Sequence, residues 1–375
     1  MPPHFFDLEP DAVAAAVTEA GLPRFRAKQV MGWVYGKTVA DWAAMTNLSA
    51  ADRGRLAAAL TLLHGRILAD QVATDGTRKL LVDWSLAPEG ACGAAGLPVL
   101  GQAEGDPANQ TECVMIPATS RESGALRRTA CISSQVGCPV GCKFCASGLG
   151  GLDGNLTAGR IVQQVWMLQR QLMDHEGPDA RITNVVFMGM GEPLANFPNV
   201  AAALRTLTAP WGMNLSARRI TVSTVGVVPG IRKLAKLDLP VTLAISLHAP
   251  NDDIRREIIP WASFTSIPEL CDAAMDYFRQ TGREVTLEYI LLRGVNDRPD
   301  HARELAAVAR RIRANINLIR YNEVASLPFE RPGSDDVHRF QAILRDAGLN
   351  CHIRASRGRD IAAACGQLRH EGVAG

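Results

Sequence analysis

The chain has no stretch approaching the roughly 18 uninterrupted apolar residues that a membrane helix needs. Met1 to Asp7 lacks both the basic start and the apolar run of a secretion signal. A cytoplasmic protein without a membrane partner is therefore expected. The chain also lacks net charge, at +2 over 375 residues, so its overall charge does not announce a nucleic-acid partner. No internal repeat is evident. What is present is length and apolar content, 47% hydrophobic residues, enough for one large core and a small extra domain. Nine cysteines, several at short spacing, fit a reducing compartment where thiols serve metals or catalysis better than a disulfide framework. Two local basic groups stand out, Arg218, Arg219, Arg232, Lys233 and Lys236, then Arg354, Arg357 and Arg359. Solvated faces of an ordinary enzyme are the plainer reading of each.

Apolar residues recur at helical spacing through Val13, Val17 and Leu22, then Val30, Trp33 and Val34. Asn47-Leu-Ser49 has the character of a cap before a helix over Ala50 to Leu60. Residues 1–62 are thus expected to form a small helical domain. A β-rich lead-in over 63–130 follows, with a strand at Lys79 to Trp84 and an exposed Gly-, Ala- and Pro-rich loop over Ser85 to Gln110. Over 131–355 strands and helices alternate, which favours a parallel sheet with helical crossovers. The expected strands are Asn184–Met188, Arg219–Val222, Val241–Ser246, Glu284–Leu291, Asn315–Ile319 and Cys351–Arg354. Between them the spacing predicts helices over Ala158–Met173, Val200–Leu207, Ile231–Leu237, Ile267–Gln280, His301–Ile312 and Asp336–Asp346. About six βα units are too few to close an eight-stranded barrel, so an α/β fold with an open, partial (βα)6 barrel is expected. Its functional residues should lie at the C-terminal ends of the strands. Residues 356–375 form a C-terminal segment.

Cys138, Cys142 and Cys145 form a C-x-x-x-C-x-x-C motif. Three thiolates at this spacing can wrap a loop around one corner of an iron–sulfur cube, and Gly137, Pro139, Gly141 and Gly148 permit the turns. Three ligands leave one iron open to a small chelating molecule such as the amino and carboxylate groups of methionine. Zinc with Cys131 as a fourth thiol is the bland alternative. A conventional electron-transfer cluster would need a well-spaced fourth cysteine, which is not apparent. Gly189-Met-Gly-Glu-Pro193 follows a strand, where a flexible backbone and one carboxylate could bind the amine or ribose of a polar cofactor. Ser223, Ser246, His248 and Asn322 fall at or after strand ends, a placement that would let them converge at one rim.

With these pieces in view, the sequence resembles the radical S-adenosylmethionine (SAM) RNA methyltransferases that modify adenine. It is most similar to the RlmN family, which methylates carbon 2 of adenine in large-subunit (23S) ribosomal RNA and in transfer RNA. The resemblance covers most of the chain. It rests on Phe25-Arg-Ala-Lys-Gln29 with Trp33, Cys131-Ile-Ser-Ser-Gln-Val-Gly-Cys138, Gly189-Met-Gly-Glu-Pro193, Ser246-Leu-His248, and Arg357-Gly-Arg-Asp-Ile-Ala-Ala-Ala-Cys-Gly-Gln367. Arg320, Glu323 and Trp261-Ala-Ser263 depart from the family's usual residues.

The resemblance implies that Cys138, Cys142 and Cys145 bind a [4Fe-4S] cluster, and that Gly191, Glu192, Ser223, Ser246, Leu247, His248 and Asn322 contact SAM. It makes Cys365 the methyl-carrying cysteine, Cys131 its thiol partner in a transient disulfide bond, and Glu112 the proton acceptor. Adenine carbon 2 is a poor nucleophile, so a radical route is implied, in which a 5′-deoxyadenosyl radical activates the methyl group on Cys365 and a covalent RNA adduct forms. An unidentified electron donor and a monomeric state complete the expectation, with the helical domain as an RNA-positioning module. Methylation of adenine carbon 8 by the same chemistry, and a non-catalytic metal-bearing RNA-binding protein, are the alternatives.

Overall fold

The computed structural model describes residues 2–85, 109–119, 124 and 126–368. Its N-terminal part carries α1 (Pro10–Glu19), α2 (Arg26–Met31), which runs into a π-helical turn at Gly32–Gly36, and α3 (Ala50–Ala59). Ser49 caps α3 as expected, its hydroxyl accepting from the Asp52 N–H at 3.1 Å. An antiparallel meander follows, β1 (Arg66–Val72), β2 (Arg78–Asp83) and β3 (Gln110–Thr119). The loop expected over Ser85 to Gln110 lies outside the described residues but for its ends, and Gln110 already belongs to β3.

β4 (Leu126–Cys131) pairs antiparallel with β3 on one side and parallel on the other. It leads into a small hairpin, β5 (Gln135–Gly137) with β6 (Leu152–Asn155), which brackets the three-cysteine loop. Helices and parallel strands then alternate: α4 (Ala158–Glu176), β7 (Asn184–Phe187), α5 (Phe197–Thr208), β8 (Ile220–Thr224), α6 (Val228–Ala235) and β9 (Thr242–Ser246). After them come α7 (Asp252–Ile258), α8 (Ile267–Thr281), β10 (Val285–Leu291), α9 (Pro299–Ala309), β11 (Ala314–Arg320), α10 (Ser334–Asp346) and β12 (Cys351–Arg354). The ten-stranded sheet runs in the order β1-β2-β3-β4-β7-β8-β9-β10-β11-β12. Six helical crossovers therefore join seven parallel strands, an open barrel. The sequence-based count misses β4 as the barrel's first strand, because its Leu-Arg-Arg-Thr-Ala-Cys lacks the apolar run of the inner strands.

The crossover helices form because each presents an apolar stripe to the sheet and starts on a cap. Thr157 caps α4, and Ser266 with Glu269 forms a capping box on α8. The N-terminal helices share one continuous apolar core with the barrel. Phe6 packs edge-on against Phe5 and Tyr35 and tilted against Trp166 of α4, whose indole N–H donates to the Val34 carbonyl at 2.8 Å. Asp7 reaches the start of α4, its carboxylate accepting from the Gly159 N–H. No helix among the described residues is long and apolar enough to cross a membrane.

Candidate active site at the barrel mouth

The cysteine loop leaves β5 at Gly137, whose φ of +72° suits glycine, and a Cβ there would lie 2.1 Å from the Gly151 carbonyl oxygen. This close crossing folds the chain back so that Cys138, Cys142 and Cys145 pack, half-buried, against Val140, Phe144, Ile258 and Tyr321. Burial raises all three thiols. Cys138 is pushed up to about 12, and Cys142 rises well above its ordinary value, with its neighbours Cys145 and Cys138 adding to the effect of burial. Backbone N–H groups of Val140 and Gly191 point at the Cys138 sulfur, and those of Ser147 and Gly148 at Cys145.

Among the described residues no three His, Cys, Asp or Glu side chains converge closely enough to hold a single metal ion. Three crowded, desolvated thiols with amide donors aimed at their sulfurs fit a cluster, whose iron stabilises thiolates that the protein alone keeps protonated.

In the next turn, after β7, the one carboxylate points inward to backbone N–H groups. Glu192 is buried, and both of its carboxylate oxygens accept backbone N–H groups, Oε1 from Leu194 at 3.0 Å and Oε2 from Val225 at 2.8 Å. Burial nonetheless pushes its carboxyl up to about 7, against the lowering effect of these bonds. The side chain thus ties the Gly189–Pro193 turn to the end of β8. Gly191, at φ +99°, lies where a Cβ would fall 2.6 Å from the Gln135 side chain, and the Gln135 Oε1 accepts from the Glu192 N–H at 2.8 Å.

Ser223 and Ser246 meet at 3.2 Å on neighbouring strands. Ser246 stands opposite Glu288 of β10, which accepts from the Asn317 amide at 2.9 Å, so a polar belt crosses the barrel near its mouth. His248 has a φ of +57°, unusual for a non-glycine residue, and is fixed by two bonds. Its Nδ1 accepts from the Ile290 N–H at 3.0 Å, and its carbonyl accepts from Asn296 at 2.7 Å. Burial, with the Arg255 charge nearby, lowers the imidazole to about 3, so it is neutral. The Leu247 side chain, by contrast, is buried in the main core, leaving only its backbone for the mouth. Its carbonyl accepts from Arg255, a wholly buried residue whose guanidinium also binds the carbonyls of Val225 and Thr265. Arg255 staples three mouth loops together, and its sequence context gives no hint of this, since it lies within an ordinary charged helix.

On the meander side, Glu112, Val114 and Cys131 share one face, with Val114 paired to Cys131 across β3 and β4. Val114 and Cys131 pack with Met190 against Ala363 and Leu368 of the C-terminal segment. That segment carries Cys365 across the mouth. The Asn322 amide donates to the Cys365 carbonyl at 3.1 Å, and Arg331 holds Asn322 by donating to its Oδ1 at 3.3 Å. Cys365 is reached by solvent although protein surrounds it closely, and that crowding, followed by the Glu288 charge, raises its thiol. Cys131 lies close enough for the Cys365 charge to raise it further, after burial. The two are not bonded: every cysteine among the described residues is a free thiol. The disulfide bond expected between them is therefore not seen in this structure. Glu112 lies on the same face with its Oε1 2.7 Å from the Lys79 ammonium, a partner that sequence reading overlooked.

Residues 132–306 match the radical SAM superfamily, and residues 4–62 match the ribosomal RNA large subunit methyltransferase N-terminal domain. The chain is 40% identical to the dual-specificity RNA methyltransferase RlmN of Dichelobacter nodosus, covering 97% of this chain and 93% of that protein. It is 42% identical to the protein of the same name from Nitratidesulfovibrio vulgaris (strain DSM 19637 / Miyazaki F), over 93% of this chain and 89% of that one. A crystal structure of a radical SAM methyltransferase from Sphaerobacter thermophilus superposes with a TM-score of 0.86 at 40% identity, covering 98% of this chain and 99% of that one. An open barrel with a three-cysteine loop at its mouth and near full-length identity of this order place the chain in the RlmN family of radical SAM RNA methyltransferases, enzymes that use a [4Fe-4S] cluster and SAM.

Proposed function

We propose that this enzyme methylates carbon 2 of adenine in large-subunit ribosomal RNA and in transfer RNA, through a methyl group carried on Cys365. It would act as a cytoplasmic monomer supplied with electrons by a separate donor. The observation that carries this reading is the C-terminal segment laid across the mouth, which brings Cys365 within electrostatic reach of Cys131, on the face that also bears Glu112. Cys138, Cys142 and Cys145 would hold the cluster. The Gly191 and Glu192 backbone, the Ser223–Ser246 pair, Leu247, His248 and Asn322 would form the SAM site. Bound there, cluster and SAM supply methyl groups and one-electron chemistry.

The chain's own residues do the rest. Cys365 takes a methyl group by ordinary displacement as a thiolate, and its activated methyl carbon then bonds to the adenine carbon. Glu112 removes the proton from that substituted carbon. Cys131 attacks the Cys365 sulfur, breaking its bond to carbon. A disulfide forms, the one electron lost from the adduct returns to the one-electron centre that Cys138, Cys142 and Cys145 would hold, and the freed carbon takes up a proton from Glu112 or solvent, so that the transferred group departs as methyl. Arg331, which donates to Asn322, lies near enough to Arg359 and Arg320 for both charges to act on it, a basic rim suited to RNA phosphates. The target adenine must leave its stack to reach the mouth.

The test is Cys131→Ala under anaerobic, reducing conditions with SAM and a large-subunit ribosomal RNA fragment. A protein–RNA species that survives denaturation, and is absent when Cys365 is also replaced, is expected. Product release without an adduct would overturn the mechanism. Nuclease digestion and mass spectrometry of wild-type product, showing 2-methyladenosine rather than the 8-methyl isomer, checks the position.

A further inference from the structure

Lys79 and Glu112 stand diagonally across β2 and β3, since Glu112 pairs with Leu81 two residues along from Lys79. Their side chains are almost fully buried, 10% and 5% exposed, with the ammonium 2.7 Å from the carboxylate. The same ammonium donates to the carbonyl of Ala362 at 3.4 Å, three residues before Cys365. Around it, the β1–β2 turn grips the C-terminal segment from outside. The Thr74 N–H donates to Asp360 at 2.8 Å, and the Asp75 carboxylate accepts from the Gly358 N–H at 3.1 Å. The meander therefore holds at once the strand bearing Glu112 and the segment bearing Cys365.

A buried ion pair is a poor way to stabilise a sheet, because desolvation offsets most of the attraction and an apolar pair would serve as well. A buried cation becomes useful when its partner must stay charged in a dry site. We propose that Lys79 is the positioning residue for product release: its ammonium keeps Glu112 ionised and aimed at the substituted adenine carbon, while its bond to Ala362 keeps Cys365 in register with that carboxylate. The inference rests on the assignment of Glu112 as the proton acceptor. In the step concerned, the proton passes from adenine carbon to a Glu112 oxygen, and Lys79 neither gains nor loses one. Among the described residues, Cys113 beside Glu112 on β3 has its thiol raised by burial and then by the charges of Cys131, Glu112 and Asp70.

The experiment compares wild type, Lys79→Met, Lys79→Arg and Cys131→Ala in single turnovers with SAM and a large-subunit ribosomal RNA fragment, across pH 6 to 9. It follows Cys365 methylation, adduct and released product separately. Lys79→Met should methylate Cys365 and form the adduct normally, which also shows that it folds. It should release product at least tenfold more slowly, with the acid limb of the release rate moved up by roughly 1 to 2 pH units. Lys79→Arg should regain part of the rate and most of the limb. Release by Lys79→Met at the wild-type rate, or slowed with an unmoved limb, overturns the inference. Absence of any adduct in Cys131→Ala would instead remove the reading on which it rests, and the inference with it.

Discussion

At the scale of single residues, the proposed chemistry assigns separable tasks to groups gathered at one mouth. Cys365→Ala should retain iron and sulfide and still cleave SAM, yet transfer no methyl group to RNA; unimpaired methylation would return Cys365 to an ordinary place in a turn. His248 yields a stability prediction. Its folded value near 3 lies below its ordinary 6.5, so between those values the unfolded chain binds a proton that the native one refuses. Its contribution is complete above pH 6.5 and is lost as pH falls toward 3, at about 1.4 kcal/mol per pH unit. Urea unfolding of wild type and His248→Gln between pH 6.5 and 5 should show the gap between them closing at that slope. A gap independent of pH would mean that the imidazole takes up its proton equally in the native and the unfolded chain. The spacing of Cys138, Cys142 and Cys145 is legible from sequence as a cluster motif, whereas roles for Cys131 and Cys365 are implied only by the family resemblance. The Glu192 carboxylate could not be read, because whether it faces a cofactor or backbone amides depends on where Val225 lies.

At the scale of elements, the cysteine loop depends on the crossing of Gly137 over Gly151. Gly137→Ala places a Cβ against a carbonyl oxygen at a left-handed backbone position, which should cost about 2 kcal/mol or more locally. Anaerobic reconstitution of that variant should incorporate markedly less iron than wild type, and equal incorporation would show that the loop accommodates the change. The helices and inner strands were legible in outline because 3.6-residue and two-residue periodicities differ, and every expected barrel helix is found within a few residues of its place. β4 was not, since a half-exposed strand with adjacent arginines carries neither period clearly. Nor was the clasp of the β1–β2 turn on residues 358–360, whose partners lie nearly 290 positions apart in the chain.

At the scale of the whole molecule, the helical N-terminus is an integral wall of the barrel's packing. Phe6 and Val34 meet Trp166 within one shared apolar core, so removal of residues 1–62 uncovers a large apolar area on α4. The truncated chain should be poorly soluble, or melt roughly 10 °C or more below the full chain by scanning fluorimetry. An unchanged melting temperature would show that the barrel is self-sufficient and leave the helices to RNA alone.

By itself the sequence determined the chemistry and the class of fold, because cluster-ligand spacing, glycine turns and hydrophobic period are properties of neighbours along the chain. Only the tertiary structure decided who meets whom at the mouth: Lys79 with Glu112 and Ala362, Arg255 with three carbonyls, Asn322 with the Cys365 backbone. These encounters join segments 8 to 283 residues apart. No local pattern encodes them, since a lysine or an arginine reads alike on a solvated face and in a buried clasp, and burial is settled only when the whole core closes.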